Sequence, residues 1–153
     1  MAVGKSTVGA LLARSEALDF VDLDQEIGNI PKIFQQEGEA GFRLRERETL
    51  LQVLGRARGE PPQRGYVLSL GGGTLDAPEN RAALAEWTVV VLMARPDALL
   101  ERLGEGQGRP LAGEMAERLT RRLPIWSSYG AFVWTDGLEP AEVADQVRAR
   151  LAG

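Results

Sequence analysis

Gly4-Lys5-Ser6-Thr7 sets a glycine, a cation and two hydroxyls side by side at the start of a helical pattern. Unpaired backbone N–H groups at a helix start attract phosphate, and the helix dipole adds to the attraction. Lys5 can reach the outer phosphates of a nucleotide, and the Ser6 hydroxyl can serve Mg²⁺. Asp22 and Asp24 end the next apolar run, two residues apart. On a strand they point to one face, where they could hold a magnesium shell and accept a hydroxyl proton. A turn or helix N-cap would use the same residue type, and Asp24 could serve both purposes.

Carboxylates carry any proton transfer, because the chain has no Cys and no His. That composition excludes disulfides, thiolate metal sites, Ser-His or Cys-His nucleophiles and imidazole acid-base chemistry. Sixteen of the 18 basic residues are arginine, the side chain that grips a carboxylate or phosphate through two parallel hydrogen bonds, although genome composition would produce the same bias.

In the run Phe42-Arg43-Leu44-Arg45-Glu46-Arg47-Glu48, residues Arg45, Arg47 and Glu48 read as a solvated helix face with i,i+3 and i,i+4 ion pairs. Arg43 and Glu46 share a face, so Glu46 could orient Arg43 toward a substrate carboxylate. Gly71-Gly72-Gly73 follows a buried strand pattern and lets a backbone approach a ligand closely; a flexible turn is the plainer reading. Gly104 to Gly113 surrounds Arg109 with glycines, the layout of a flap that brings an arginine to a reacting phosphate and excludes water.

The elements that must position these groups alternate short apolar runs with helical patterns. That layout predicts an α/β fold, a parallel sheet covered by helices on both faces. Strands are expected at Phe20 to Asp22, Tyr66 to Leu70, Thr88 to Met93 and Ala131 to Trp134. Helices are expected at Ser6 to Arg14, Gly41 to Arg56, Glu79 to Ala85, Asp97 to Leu103, Glu114 to Trp126 and Pro140 to Leu151, with loops at Gly59 to Gly65 and Gly104 to Gly113. Ligands bind such folds where strand C-termini meet helix N-termini, which is where the suspicious residues cluster.

At 153 residues and 44% hydrophobic content a single domain is the default. The net charge of -4 argues against a general nucleic-acid binder. With no apolar run of membrane-spanning length and no signal-peptide layout, a soluble cytoplasmic protein is the simplest expectation.

Taken together, GKSTVG, DLD, IFQQEGEAGFRLRE, LSLGGG, GRPL and RRLPIW, in this order over nearly the entire chain, resemble the shikimate kinase family. The resemblance implies a three-layer α/β/α P-loop kinase fold and ATP- and Mg²⁺-dependent phosphorylation of the shikimate 3-hydroxyl. It assigns Gly4, Lys5, Ser6 and Thr7 to nucleotide phosphates, with Ser6 and, through water, Asp22 serving the metal. Asp24 matches the carboxylate that binds shikimate hydroxyls and is the candidate base. Arg43 and Arg122 match the clamp on the shikimate carboxylate, and Gly71, Gly72 and Gly73 line that pocket. Arg109 matches the lid arginine, and Arg102 stands where the family stacks an arginine on adenine. It also implies a monomer.

The chain departs from the family pattern at two places. The central first strand and the first loop glycine are expected to precede Met1, and Asp24 to Ile30 is shorter than usual on the shikimate-binding flank, which spans residues 25–58. Two other readings stay open on the residues alone. One is a related kinase acting on a sugar acid or other small acid; the other is a P-loop domain that binds a partner and does not turn over ATP.

Overall fold

The computed structural model describes residues 4–59, 65–95, 97–98 and 109–153, with the backbone alone at 59, 109–112 and 115. These residues gather into two compact units, Gly9–Glu86 and Met1–Val8 with Trp87–Gly153. Helix α1 (Lys5–Ser15) contains the boundary and ends through Ala17, whose φ of 55° turns the chain into the first strand.

Within Gly9–Glu86, strand β1 (Asp19–Asp22) pairs in parallel with β2 (Tyr66–Ser69), in a register from Asp19 opposite Tyr66 to Asp22 opposite Ser69. Asp22 and Ser69 therefore lie side by side at the carboxyl ends of the two strands. The segments leaving those ends carry Asp24 and Gly71, so the register alone brings two site candidates to one sheet end.

Helix α2 (Leu23–Ile27) starts directly after β1, and α3 (Ile30–Gly59) follows after two linking residues. So short a link needs special chemistry. Gly28 supplies a φ of 101°, open to glycine at little cost, and the Asn29 Oδ1 accepts from the Lys32 N–H at 3.2 Å to cap α3. The shortening of residues 24–30 noted in the sequence is thus accommodated by a glycine turn and an asparagine cap.

Helix α3 bends at Gly38, where φ is 70° and ψ -172°. Across this elbow Phe34 stacks on Phe42 at 4.7 Å, and the Arg45 guanidinium grips both oxygens of Glu37, with Nε 2.8 Å from Oε2. A Cβ on Gly41 would lie 2.3 Å from the Cβ of Glu37, so the elbow needs both glycines for different reasons. The 3₁₀ turn Thr74–Asp76 and helix α4 (Pro78–Ala83) follow β2. Leu23, Phe42, Leu50, Val53, Leu54, Leu75 and Leu84 form the buried apolar core of this unit.

In the other unit, β3 (Val91–Met93) pairs in parallel with β4 (Phe132–Trp134), and α5 (Arg109–Ser127) lies between them in sequence. Helix α6 (Pro140–Ala152) opens with Pro140 and a reciprocal Glu139/Glu142 capping box, then packs on β4. Val91, Ala94, Val133, Val143, Ala144 and Val147 are buried there.

Parallel strands joined by helices bear out the α/β class, and the described strands form two two-stranded ladders, β1–β2 and β3–β4. Three expectations about the elements need correction. Asp24 lies in the first turn of α2 and not on a strand with Asp22, because Asp22 ends the strand by capping the helix. The expected helix Gly41 to Arg56 is borne out as the stretch beyond the non-helical Gly38, and the helical segment from Ile30 up to that break is an addition to it. Thr88 to Val90 lie outside the β3 ladder, which is only as long as its three-residue partner. Arg109 to Gly113 is the start of α5 and not flap. The expected helix Asp97 to Leu103 beyond Ala98, loop residues 60–64 and flap residues 104–108 lie outside the described residues.

Candidate active site

The groups that could meet a small acidic substrate converge in Gly9–Glu86. Asp22, only 8% exposed, ends β1 and accepts on Oδ1 from the Asp24 N–H at 3.0 Å and the Gln25 N–H at 3.3 Å. This cap fixes the first turn of α2 and with it the position of Asp24, which is exposed. A Cβ built on Gly71 would lie 3.0 Å from the Asp24 Oδ1, 3.1 Å from the Glu46 Oε2 and 3.1 Å from the Thr74 Oγ1. Three polar side chains from three elements therefore crowd one glycine.

Glu46 is the anchor of that cluster. It is 1% exposed, and a buried carboxylate is tolerated only when charge and hydrogen bonds compensate for lost water. Its Oε1 takes a hydrogen bond from the Arg43 guanidinium at 2.9 Å, and its Oε2 takes one from the Thr74 hydroxyl at 3.0 Å. The Arg43 side chain is 34% exposed, and its guanidinium carbon lies 5.2 Å from the Phe42 ring centroid. Pinned by one nitrogen and laid over an aromatic face, the fork keeps further N–H donors for an incoming anion.

The segment after β2 is held just as firmly. Asn80, 3% exposed, donates from Nδ2 to the Thr74 carbonyl at 2.9 Å. Arg81 donates to the carbonyls of Leu75 at 2.7 Å and Asp76 at 3.1 Å. Gly71, Gly72 and Gly73 thus lead into a clamped 3₁₀ turn, and none of the three has a left-handed φ. The need for glycine at 71 is close approach.

In the other unit the chain turns into α1 at Gly4, with φ 81°, whose carbonyl accepts from the Val8 N–H at 2.9 Å. Lys5, Ser6 and Thr7 form the first helical turn, which contains no acidic residue to compete with a phosphate. Arg122, on α5, is 6% exposed, a burial that a guanidinium tolerates only with partners. Arg109 opens α5, with its side chain outside the described residues, and Arg102 lies outside them altogether. No group of three or more acidic metal-ligand candidates occurs among the described residues.

The structure brings together Asp24, Arg43 and Gly71 through Glu46, as their spacing suggested for Arg43 and Glu46. Sequence reasoning missed Thr74 and Asn80. The faint signal for them was polar residues placed where a short turn and helix would otherwise take apolar ones.

A family model described as shikimate kinase matches residues 1–152. A shikimate kinase of Stenotrophomonas maltophilia is 45% identical over 72% of this chain, and the match spans 61% of that relative's length. One from Thermus thermophilus is 38% identical, covering 99% of this chain and 85% of its own. The solved structure of Acinetobacter baumannii shikimate kinase in complex with shikimate superposes with a TM-score of 0.84 at 26% identity, covering 99% of this chain and 88% of that one. With the family model spanning all but the final residue, the chain belongs to the shikimate kinase family.

Proposed function

We propose that this chain transfers the γ-phosphoryl group of ATP to the 3-hydroxyl of shikimate. The observation that carries the reading is the cluster in which Asp24 and Glu46, the carboxylate that holds Arg43, converge at Gly71, in a chain of this family. The arginine serves a carboxylate and the aspartate serves hydroxyls. A neutral sugar would leave the arginine unpaired and be rejected.

Phosphoryl transfer asks for positioning and charge neutralisation and needs no protein nucleophile. The shikimate hydroxyl oxygen forms the new bond to the γ-phosphorus, the bond to the β,γ-bridging oxygen breaks, ADP leaves, and Asp24 orients the hydroxyl and receives its proton. Gly4 to Thr7 offer first-turn N–H groups to the phosphates, and Lys5 neutralises the outer ones. Arg109, at the start of α5, is the arginine for the transferring phosphate, and Arg102 is the adenine contact. Arg122 is the second arginine for the substrate carboxylate, and Gly72 and Gly73 line the substrate side with Gly71. These assignments follow the family motifs.

Ser6 and Asp22 are the residues that would hold Mg²⁺, and both offer the hard oxygen donors that cation prefers. Mg²⁺ held there would supply charge neutralisation to the nucleotide phosphates. In this reading residues 1–153 act as one catalytic domain, a cytoplasmic monomer working on small molecules. Among the described residues no helix is long and apolar enough to cross a membrane, and the net charge is -4.

Shikimate-dependent ADP release with Mg-ATP tests the proposal. We expect activity in the wild-type chain and a loss of at least about 100-fold in Asp24→Asn, the usual scale for a positioned general base. ADP release that ignores shikimate, or an undiminished Asp24→Asn variant, would overturn it.

A further inference from the structure

We propose that Thr74 is a positioning residue for substrate recognition: its buried hydroxyl orients Glu46, which in turn aims Arg43. The proposal rests on the shikimate reading for the identity of the ligand, but the chain of contacts is a property of the fold. Thr74 is 0% exposed and Glu46 1% exposed, so no solvent competes for the bond from the Thr74 Oγ1 to the Glu46 Oε2 at 3.0 Å.

A carboxylate held at only one oxygen can swing about its Cγ–Cδ bond. Arg43 occupies Oε1 at 2.9 Å, and the Thr74 hydroxyl occupies Oε2, so together they fix the carboxylate plane and the edge it offers the guanidinium. Arg43 is itself a third exposed and five residues from the elbow at Gly38, so its aim depends on that fixed edge.

Thr74 is in turn anchored twice. Its N–H donates to the Gly71 carbonyl at 3.3 Å, and its carbonyl accepts from the buried Asn80 Nδ2 at 2.9 Å. The relay therefore runs from α4 through the 3₁₀ turn to Glu46 on α3 and ends on Arg43. A Cβ at Gly71 would touch both Thr74 and Glu46, so the glycine preserves the same contact.

The test compares Thr74→Val, which keeps the volume and deletes the hydroxyl, with Thr74→Ser, which keeps the hydroxyl. We expect Thr74→Val to raise KM for shikimate about tenfold, the scale of one hydrogen bond to a buried charge, with KM for ATP unchanged and kcat within about threefold. Thr74→Ser should restore KM. A purely structural role would lower Tm while leaving KM for shikimate unmoved, or raise it equally in both variants; either result overturns the proposal.

A second readout needs no turnover. The guanidinium ¹⁵N–¹H resonances of Arg43 should be sharp in the wild type and Thr74→Ser and exchange-broadened in Thr74→Val; equal line widths in all three overturn the relay. A wild-type chain with sharp Arg43 resonances and no response to shikimate would overturn the shikimate reading and leave the relay standing.

Discussion

At the scale of single residues, Gly71 shows how a small change should reach substrate and spare the fold. Its Cβ would sit 3.0 to 3.1 Å from Asp24, Glu46 and Thr74, and each must then yield by a few tenths of an ångström. One of those atoms ends the exposed Asp24 side chain, which can move cheaply, whereas Glu46 and Thr74 are buried and bonded to each other, so the proposed catalytic aspartate and the support of Arg43 are displaced together. We expect Gly71→Ala to lose about tenfold or more in kcat/KM for shikimate, because misplacing oriented groups is costly, while Tm falls by only a few degrees. An unchanged kcat/KM in steady-state assays would refute the close-approach argument. Asp24, Arg43 and the glycine triplet were legible in the sequence because charge and missing side chains announce themselves. The hydroxyl of Thr74 and the amide of Asn80 were not, since their roles exist only once the turn folds over Glu46.

At the scale of elements, the elbow of α3 joins backbone freedom to an ion pair. Gly38, at φ 70° and ψ -172°, lies in a region other residues enter only with strain of about 1 to 3 kcal/mol, and Gly38→Ala should lower stability by that amount in denaturant melts. The clasp between Glu37 and Arg45 adds a pH signature. The hydrogen bond from Arg45 holds the Glu37 carboxyl below its ordinary range, and the same bond holds Arg45 above its own. A depressed carboxyl contributes stability above its unfolded pKa of about 4.3 and loses it as pH falls through the folded value. Arg45 stays charged over that window. The stability gap between wild type and Glu37→Gln should thus be nearly constant from pH 7 to 5 and close on further acidification; a gap that does not shrink as the carboxyl is protonated would rule out the clasp. Sequence periodicity placed the helix at Gly41 to Arg56, the stretch beyond the break at Gly38, and left the helical segment from Ile30 to that break unread. It also assigned Arg45 to short-range pairs, whereas its partner lies eight residues back across the bend. The strand runs were easier to read, since parallel strands buried on both faces show as continuous apolar runs, although the ladder at β3 stops where β4 does.

At the scale of the whole molecule, the proposed ligands divide between the two compact units. Gly4 to Thr7, Arg109 and Arg122 belong to Met1–Val8 with Trp87–Gly153, whereas Asp24, Arg43 and Gly71 to Gly73 belong to Gly9–Glu86. Each unit has its own apolar core and its own parallel ladder, so a substitution in one need not deform the other. In the proposed reaction Lys5 serves nucleotide phosphates and Arg43 the substrate carboxylate, and the two belong to different units. Effects at independent sites add. Lys5→Ala should therefore weaken ATP binding and leave the Kd for shikimate within about threefold of wild type, and Arg43→Ala should do the reverse. In the double variant each Kd should match its single-variant value to within about 0.5 kcal/mol, as calorimetric titration can resolve. A larger coupling would mean that each ligand reorganises the other's residues, and the division of labour between the units would have to be abandoned.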